Sequence, residues 1–386
     1  MTETGEFEQE NDQLCVLALN KRTWDHSKSG GSELNLEETL KRLAERGHEV
    51  HLLAGSDEGR PRVADDDSVS IRRVGIDHRF SSPWDIVVSY ITICVYFYWH
   101  LYRVSPDVVY TVNDPLPWPV VTKQPRVAIF HHIAIDSFFD THPFPQNLLG
   151  SFSQRFGVFW ERNSPTVSVS PSTTEELTSR GHSRDTIYEI KNGVDVERYQ
   201  PGTESDVPSI VYIGGLESYK GVDRIPDIHR ALQHKADSSI QLDIAGPEGP
   251  VRDEIISYCN ETSNAKYHGF VSEEEKIELL QSALVFIAPS RVEGWGIAVL
   301  EANACSTPAV GSDVNGLRDS IKHGETGLLA DGSDPEAFAD KIIHLIEDNE
   351  VRESLGEEAR TWAEGHSWEQ SCDQIENLFL SVTRTS

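Results

Sequence analysis

Short runs of Val, Ile, Leu and Ala recur through this chain, and helix-length amphipathic stretches separate most of them. In the first half the runs are LCVLAL (14–19), EVHLLA (49–54), VSIRRV (69–74), DVVYT (107–111), VAIF (127–130) and TVSVS (166–170). In the second half they are SIVYIG (209–214), IQLDIAG (240–246), AKYHGF (265–270), LVFIAPS (284–290) and PAVGS (308–312). Several are apolar throughout rather than alternating, as strands buried on both faces are. Parallel neighbours need long crossovers, which helices supply. One such helix opens at Ser32, carries Leu36, Leu40 and Leu43 on one face and stops at Gly47. Others are expected around 223–235, 251–260, 272–283, 334–347 and 368–382. The fold class is α/β with parallel sheets.

The pattern restarts after QPGTESDVPS (200–209), a polar stretch with two prolines. At ~100–200 residues per domain, a chain of 386 residues holds two. They are expected over 14–195 and 209–366, joined by a linker over 196–208. An acidic mobile tail over 1–13 precedes them, and a terminal helix over 367–386 returns to the first domain. Open α/β sheets bind ligands beyond the carboxyl ends of their strands, so two such sheets facing each other define a cleft.

Charge removes several function classes. The formal net charge is −29, spread along the chain, which is the wrong sign for nucleic acid and unfavourable for an anionic membrane. With arginines outnumbering lysines and one methionine, the acid reads as the solvated coat of a halophilic protein, whose self-repulsion salt screens. The five cysteines, Cys15, Cys94, Cys259, Cys305 and Cys372, are far apart and form no CxxC, which fits a reducing compartment rather than a disulfide framework or zinc site. The opening MTETGEFEQENDQ has no signal-peptide pattern, so a cytoplasmic location is expected. Residues 86–102, IVVSYITICVYFYWHLY, lack Asp, Glu, Lys and Arg, but they fall short of the ~20 residues a span needs and are rich in Tyr and Trp. Core packing is the first reading of that helix, membrane-surface contact the second and spanning the last.

The most specific string is Glu293-Gly-Trp-Gly-Ile-Ala-Val-Leu-Glu301, which follows a strand and opens a helix. Glycines at a helix mouth let backbone N–H groups approach an anion, and the helix end carries partial positive charge, so a diphosphate fits there. The two glutamates, at most ~12 Å apart along a helix, flank that position. The competing reading is a glycine-rich turn with solvated glutamates. IGGLESYKGVD (213–223) follows the first strand of the second domain; Lys220 can set a cation on a leaving diphosphate, although a surface lysine is commoner. Gly30-Gly31-Ser32 forms a third glycine turn at a helix start, and it does not match GxGxxG. Asp65-Asp66-Asp67 spells DxD, but in so acidic a chain it reads as a solvated loop; no structural metal is expected.

Together, and in order, these pieces resemble the retaining glycosyltransferases of family 4. GGSELNLEETLKRLAERGHEV looks like that family's opening loop and helix, and KNGVDVERYQP (191–201) like its interdomain passage. AGP, YHGFVSEEEK, EGWGIAVLEA and HGETGLL (323–329) follow in family order. The resemblance implies a GT-B fold, two Rossmann-like βαβ domains facing each other across a deep cleft, and a nucleotide-diphosphate sugar as donor with no other cofactor. It implies that Gly30 and Gly31 approach the diphosphate and acceptor, that Lys220 meets the donor phosphates, and that Gly269, Phe270 and Val271 border the base. Gly214, Gly215 and Gly246 fall in its donor loops. Glu293 would bind sugar hydroxyls, with Gly294, Trp295, Gly296 and Ile297 forming the loop and helix mouth beside it, and Glu301 would hold the ribose. His131 matches the histidine near the reacting carbon, with His132 as its adjacent competitor. Where the family carries Arg after the glycine of its GRLxxxKG run, this chain has Gly215, so either Arg291 or Arg224 replaces that cation or phosphate stabilisation is weaker, which leaves Lys220 as the main candidate.

The implied reaction moves a hexose-type sugar to an acceptor hydroxyl with retention and without metal, His131, Lys220 and Glu293 being the catalytic candidates. The aromatic segment 135–162 and the aromatic helix suggest a lipid-linked acceptor or growing glycan and peripheral contact at the cytoplasmic membrane face. A nucleotide-sugar epimerase and a non-catalytic sugar-nucleotide-binding protein are the alternatives.

Overall fold

A computed structural model describes residues 13–26, 29–57, 59–75, 83–113, 118–133, 135 and 146–385. The expected acidic tail lies outside the described residues except for Gln13, as does the part of the aromatic segment over 136–145.

The first half alternates β1 (Cys15–Leu19), α1 (Gly31–Glu45), β2 (Glu49–Gly55), β3 (Val63–Asp66), β4 (Val69–Val74), α2 (Pro83–Val104), β5 (Val108–Val112), β6 (Arg126–Phe130), α3 (Gln146–Glu161), β7 (Thr166–Ser168), α4 (Pro171–Ser179) and β8 (Ile187–Glu189). Among the described residues its sheet runs β3-β4-β2-β1-β5-β6-β7-β8, parallel except for the antiparallel edge strand β3. The second half contains β9 (Ser209–Ile213), α5 (Ile225–Lys235), β10 (Gln241–Ala245), α6 (Arg252–Glu261), β11 (Ala265–Gly269), α7 (Glu273–Ser282), β12 (Val285–Ala288), α8 (Ile297–Ala304), β13 (Ala309–Ser312), α9 (Leu317–Ser320), β14 (Gly327–Ala330), α10 (Pro335–Glu347), α11 (Asn349–Glu364) and α12 (Trp368–Arg384). Its sheet runs β11-β10-β9-β12-β13-β14 with parallel pairing throughout. This is the doubly wound order, in which connections leave in opposite directions from two central strands and open a crevice at their carboxyl ends. Both halves are Rossmann-like. Their switch points lie between β1 and β5 and between β9 and β12.

The chain passes between the lobes twice, and the two passages touch. Val194 N–H donates to His366 O at 2.9 Å, and a Cβ on Gly193 would stand 2.2 Å from Trp368 N. Helix α12 then packs on the first sheet. Ile375, Leu378 and Phe379 share a core with Leu36, Leu40 and Val127, and the Phe379 ring lies 5.3 Å from that of Tyr110. Each such fully buried side chain contributes about 1.5–3 kcal/mol. Arg46, which caps the end of α1, forms ion pairs with Glu369, Asp373 and Glu376 of α12, and His48 approaches Glu376 at 2.8 Å.

Asp65–Asp67 is solvent-facing, Asp65 and Asp67 being exposed, but Asp65 and Asp66 belong to an edge strand rather than a loop. Val63–Asp66 pairs with β4, and Asp67 is its turn residue, with φ +46°. Trp24 Nε1 donates to Asp66 Oδ2 at 2.7 Å, and Lys41 Nζ lies 2.9 Å from Asp67 Oδ2. The DxD string is thus tied into the first lobe's edge. No helix among the described residues is long and apolar enough to cross a membrane.

Candidate functional site

In the second lobe, the loops leaving the switch-point strands β9 and β12 carry Lys220 and Glu293. The turn at Ser218–Lys220 is sewn to the loop after β12, where Arg291 N–H donates to Tyr219 O at 2.8 Å. Gly221 sits at φ +68°, and a Cβ there would stand 1.9 Å from Pro289 O, so both its conformation and its close approach require glycine. This seam brings Lys220 Nζ to Glu293 Oε1 at 2.8 Å and Oε2 at 2.6 Å, with Ser290 Oγ donating to Oε2 at 3.2 Å. The pair is partly shielded from solvent, the two side chains being 26% and 14% exposed.

The expected substitute cations are engaged elsewhere. Arg291 forms a fork with Asp223, both bonds 2.6 Å long, and also donates to Ser218 O. Burial pushes the Asp223 carboxyl up, but the Arg291 hydrogen bonds and charge outweigh it and hold the carboxyl below its ordinary value. Arg291 thus braces the turn that carries Lys220. Arg224 donates to Gly332 O. Gly215 offers no side chain, and its carbonyl accepts from Tyr212 Oη at 3.0 Å.

Two helix mouths meet beside this pair. Helix α8 is capped by Gly296, whose carbonyl accepts from Val299 N–H and Leu300 N–H, so the amides of Ile297 and Ala298 precede the first helical bonds. Across the cleft, α1 is capped by Gly30, whose N–H donates to Glu33 Oε2 at 3.0 Å, while Ser32 Oγ donates to the same oxygen at 3.1 Å. A Cβ on Gly31 would lie 3.4 Å from Ile297 Cδ1. Closer still, a Cβ on Gly294 would stand 1.8 Å from His131 O. Ser172 N–H in the first turn of α4 also donates to Asp319 Oδ2 of α9 at 3.1 Å. A cavity of about 300 Å³ opens between the lobes, with Ser172, Thr173 and Glu176 on one side and Arg291, Glu293 and Arg318 on the other.

His131 follows β6 and is buried, and its carbonyl faces Gly294. The His132 carbonyl accepts from Gln154 Nε2 at 3.1 Å. Gly214, Gly246 and Gly269 come together at the second sheet's carboxyl edge: Gly214 N–H donates to Ala245 O and Gly246 N–H to Gly269 O. Phe270 stands at that edge 81% exposed, with Val271 beside it. Trp295 lies in the loop at the mouth of α8, with its ring turned away from it. Its indole is 1% exposed and belongs to the first lobe's apolar core, so only its backbone is left for a donor. In a glycine-flanked motif, nothing in the sequence fixes which way the ring turns.

Sequence reasoning missed three side chains around Glu301. Tyr199 Oη donates to Glu301 Oε1 at 3.1 Å, Lys276 Nζ donates to the same oxygen at 2.9 Å, and Lys276 also pairs with Glu273 at 3.1 Å. Burial pulls the Lys276 ammonium down, but Glu301 and Glu273 outweigh it and hold it above its ordinary value. Three candidate metal ligands that sequence spacing did not reveal, Cys15, Glu49 and His51, gather elsewhere, where β1 and β2 run side by side from the paired Cys15 and Glu49. There His51 pairs with Glu49 at 2.9 Å, and burial is the main cause pushing the Cys15 thiol up to about 12.

Residues 29–198 match the model of Glycosyltransferase Family 4, and residues 194–362 that of Glycosyl transferases group 1. A D-inositol 3-phosphate glycosyltransferase of Corynebacterium glutamicum is 30% identical over 54% of this chain and 56% of its own length, so this chain spans about half of that relative. An N-acetyl-alpha-D-glucosaminyl L-malate synthase of Bacillus anthracis is 24% identical over 92% of this chain and 95% of its own. Among solved structures, a sucrose-phosphate synthase from Thermosynechococcus elongatus superposes with TM-score 0.83 at 17% identity, covering 97% of this chain and 100% of that one. Anabaena HepE in complex with UDP-glucose superposes with TM-score 0.73 at 17% identity, covering 96% and 100%. At such identities the likeness is one of fold, and the fold is that of GT-B proteins. With the two family models adjoining over residues 29–362, the chain belongs to the family 4 glycosyltransferases.

Proposed function

We propose that this protein transfers a hexose-type sugar from a nucleoside-diphosphate donor to an acceptor hydroxyl, with retention of configuration and without a metal ion. The observation that carries this reading is the meeting of two helix mouths, Gly31 against Ile297, beside the Lys220–Glu293 pair. A diphosphate between them receives amide hydrogens from the mouth of α8 and the charge of Lys220. As the glycosidic bond breaks, its electron pair goes to the leaving phosphate oxygen. That phosphate takes the acceptor's proton, and the acceptor oxygen bonds to the anomeric carbon on the same face. Glu293 holds sugar hydroxyls, and His131 orients the sugar at the reacting carbon. The Glu301 carboxylate takes the ribose, and the exposed ring of Phe270 borders the base. Closure of the lobes excludes water that would hydrolyse the donor.

A solved relative binds UDP-glucose, so UDP-sugars lead the panel that tests this proposal, followed by GDP- and ADP-sugars in concentrated salt. Nucleotide release coupled to a glycosylated product is expected. An isomerised donor sugar would indicate an epimerase instead, and binding without turnover a non-catalytic protein.

The acceptor is proposed to be lipid-linked, with peripheral contact at the cytoplasmic membrane face. Helix α2 exposes Ile91, Val95, Tyr98, Trp99 and Tyr102, the last 88% exposed, and α3 exposes Leu148, Phe152 and Phe159. Amphipathic rings with nearby guanidinium groups, such as Arg103 over Trp99 and Arg162 over Phe159, suit a headgroup boundary. Co-sedimentation with neutral and anionic liposomes in high salt is expected to pull the protein down, and F152A/F159A to reduce the bound fraction several-fold. Failure to bind either vesicle favours a soluble acceptor.

A further inference from the structure

Glu301 lies inside α8, and its side chain is 8% exposed. One of its carboxylate oxygens, Oε1, accepts from both Tyr199 Oη and Lys276 Nζ. Among the described residues, no hydrogen bond reaches the other, Oε2. The surroundings are short of donors. Tyr199 has a single phenolic proton, yet its oxygen approaches both Glu301 and Glu273. Lys276 lies between the two carboxylates, within 2.9 Å of Glu301 and 3.1 Å of Glu273, and stands over the Tyr199 ring at 5.1 Å. Two carboxylates facing one ammonium leave an excess negative charge and an unused acceptor oxygen. A vicinal diol supplies two O–H donors, which is what this arrangement lacks.

Both partners are held in place by contacts of their own. Tyr199 is 3% exposed and lies on the passage between the lobes. Arg360 fixes it there, donating to Tyr199 O and to Ala304 O, the last residue of α8, each at 2.6 Å, and to Val196 O at 3.1 Å. Lys276 comes from α7, whose first turn is set by Ser272 accepting from Glu275 N–H. Two separate segments therefore converge on one oxygen of Glu301, and a third, α11, braces one of them through Arg360.

We infer that Lys276 and Tyr199 are positioning residues: they pin Glu301 by one carboxylate oxygen and reserve the other for the ribose diol of the donor. This rests on the proposed reading of Glu301 as the ribose ligand. Without Lys276, Glu301 and Glu273 repel each other and the carboxylate turns away, so discrimination between a ribose and a sugar lacking its hydroxyls falls.

The experiment titrates UDP, GDP and ADP into the protein in concentrated salt, takes the tightest, and compares it with its 2′,3′-dideoxy counterpart. Hydrogen bonds to a charged group are worth about tenfold or more in affinity, so the wild type is expected to favour the ribose form by at least ~10-fold. K276M is expected to reduce that ratio to about twofold, Y199F to lower it about threefold, and K276R to regain most of it. In turnover, K276M raises the donor KM about tenfold and leaves kcat within about twofold. A purely structural role would weaken both nucleotides equally and leave the ratio intact. E301Q separates the two levels. If E301Q keeps the wild-type ratio, the ribose assignment falls and this inference with it. If E301Q collapses the ratio while Y199F and a folded K276M retain it, the inference alone is overturned. Should K276M melt at a much lower temperature, Y199F decides. Absence of binding by all three nucleotides overturns the proposed function and this inference together.

Discussion

Replacing Lys220 with alanine is expected to lower kcat by about a thousandfold while leaving the fold intact. Removing one preorganised donor from developing negative charge costs about 10²–10³ in kcat. The upper end applies because the neighbouring cations are committed: Arg291 to Asp223 and Ser218 O, Arg224 to Gly332 O, while the position of the family's arginine is Gly215. Lys220→Ala also leaves Glu293 without its ammonium, setting a carboxylate beside the diphosphate. K220A/E293Q measured against the two single variants separates that repulsion from the lost cation. Arg291→Ala acts through the turn it braces and is expected to lose only about tenfold. Wild-type activity in Lys220→Ala would remove the assignment of Lys220 to the leaving group.

Gly294→Ala is the second large effect. The added methyl carbon would fall 1.8 Å from His131 O and 2.8 Å from His131 C, both backbone atoms of the facing lobe. No side-chain rotation relieves such a clash, so the loop or the whole lobe has to shift by more than an ångström. A misplacement of that size costs about 10²-fold in rate, and overpacking of this kind destabilises the closed arrangement by about 1–3 kcal/mol. The expected result is a kcat about a hundredfold lower, with nucleotide binding to the second lobe reduced far less and a larger radius of gyration in solution. A variant with wild-type kcat and wild-type dimensions would mean that the lobes do not work in this contact.

The central strands of both sheets were legible because burial on both faces leaves an unbroken apolar run, as in LCVLAL and LVFIAPS. Edge elements were not. Val63–Asp66 is a strand with two carboxylates in four residues, held by antiparallel pairing and Lys41 rather than by burial. Ile187–Glu189 is too short to carry a pattern, and Gly327–Ala330 lies within HGETGLL, a string that reads as a motif rather than as a strand. Helix α11 carries no clear apolar stripe in its sequence, NEVRESLGEEARTWAE, because nearly half of it is charged and its buried face is made of Arg352, Leu355, Gly356, Ala359 and Ala363. In the site, the glycine loops could be read because close approach of backbone demands glycine. Lys276 could not. Beside three glutamates at a helix start it looks like a solvated surface lysine, and only the fold sets α7 against α8. Trp295 shows the converse: the motif located the loop, but burial in the opposite lobe decided where the ring went.

The return of α12 to the first lobe has a consequence for how this molecule is made. The face of α1 that carries Leu36 and Leu40 is covered by residues more than three hundred positions later, among them Ile375 and Phe379. A nascent first lobe on the ribosome therefore waits, with an uncovered greasy seam, while the entire second lobe is synthesised. Contacts that span so much chain slow folding and prolong exposure to aggregation. The second lobe's sheet draws all of its strands from one continuous stretch and needs no such delay. The part translated first is thus the part completed last.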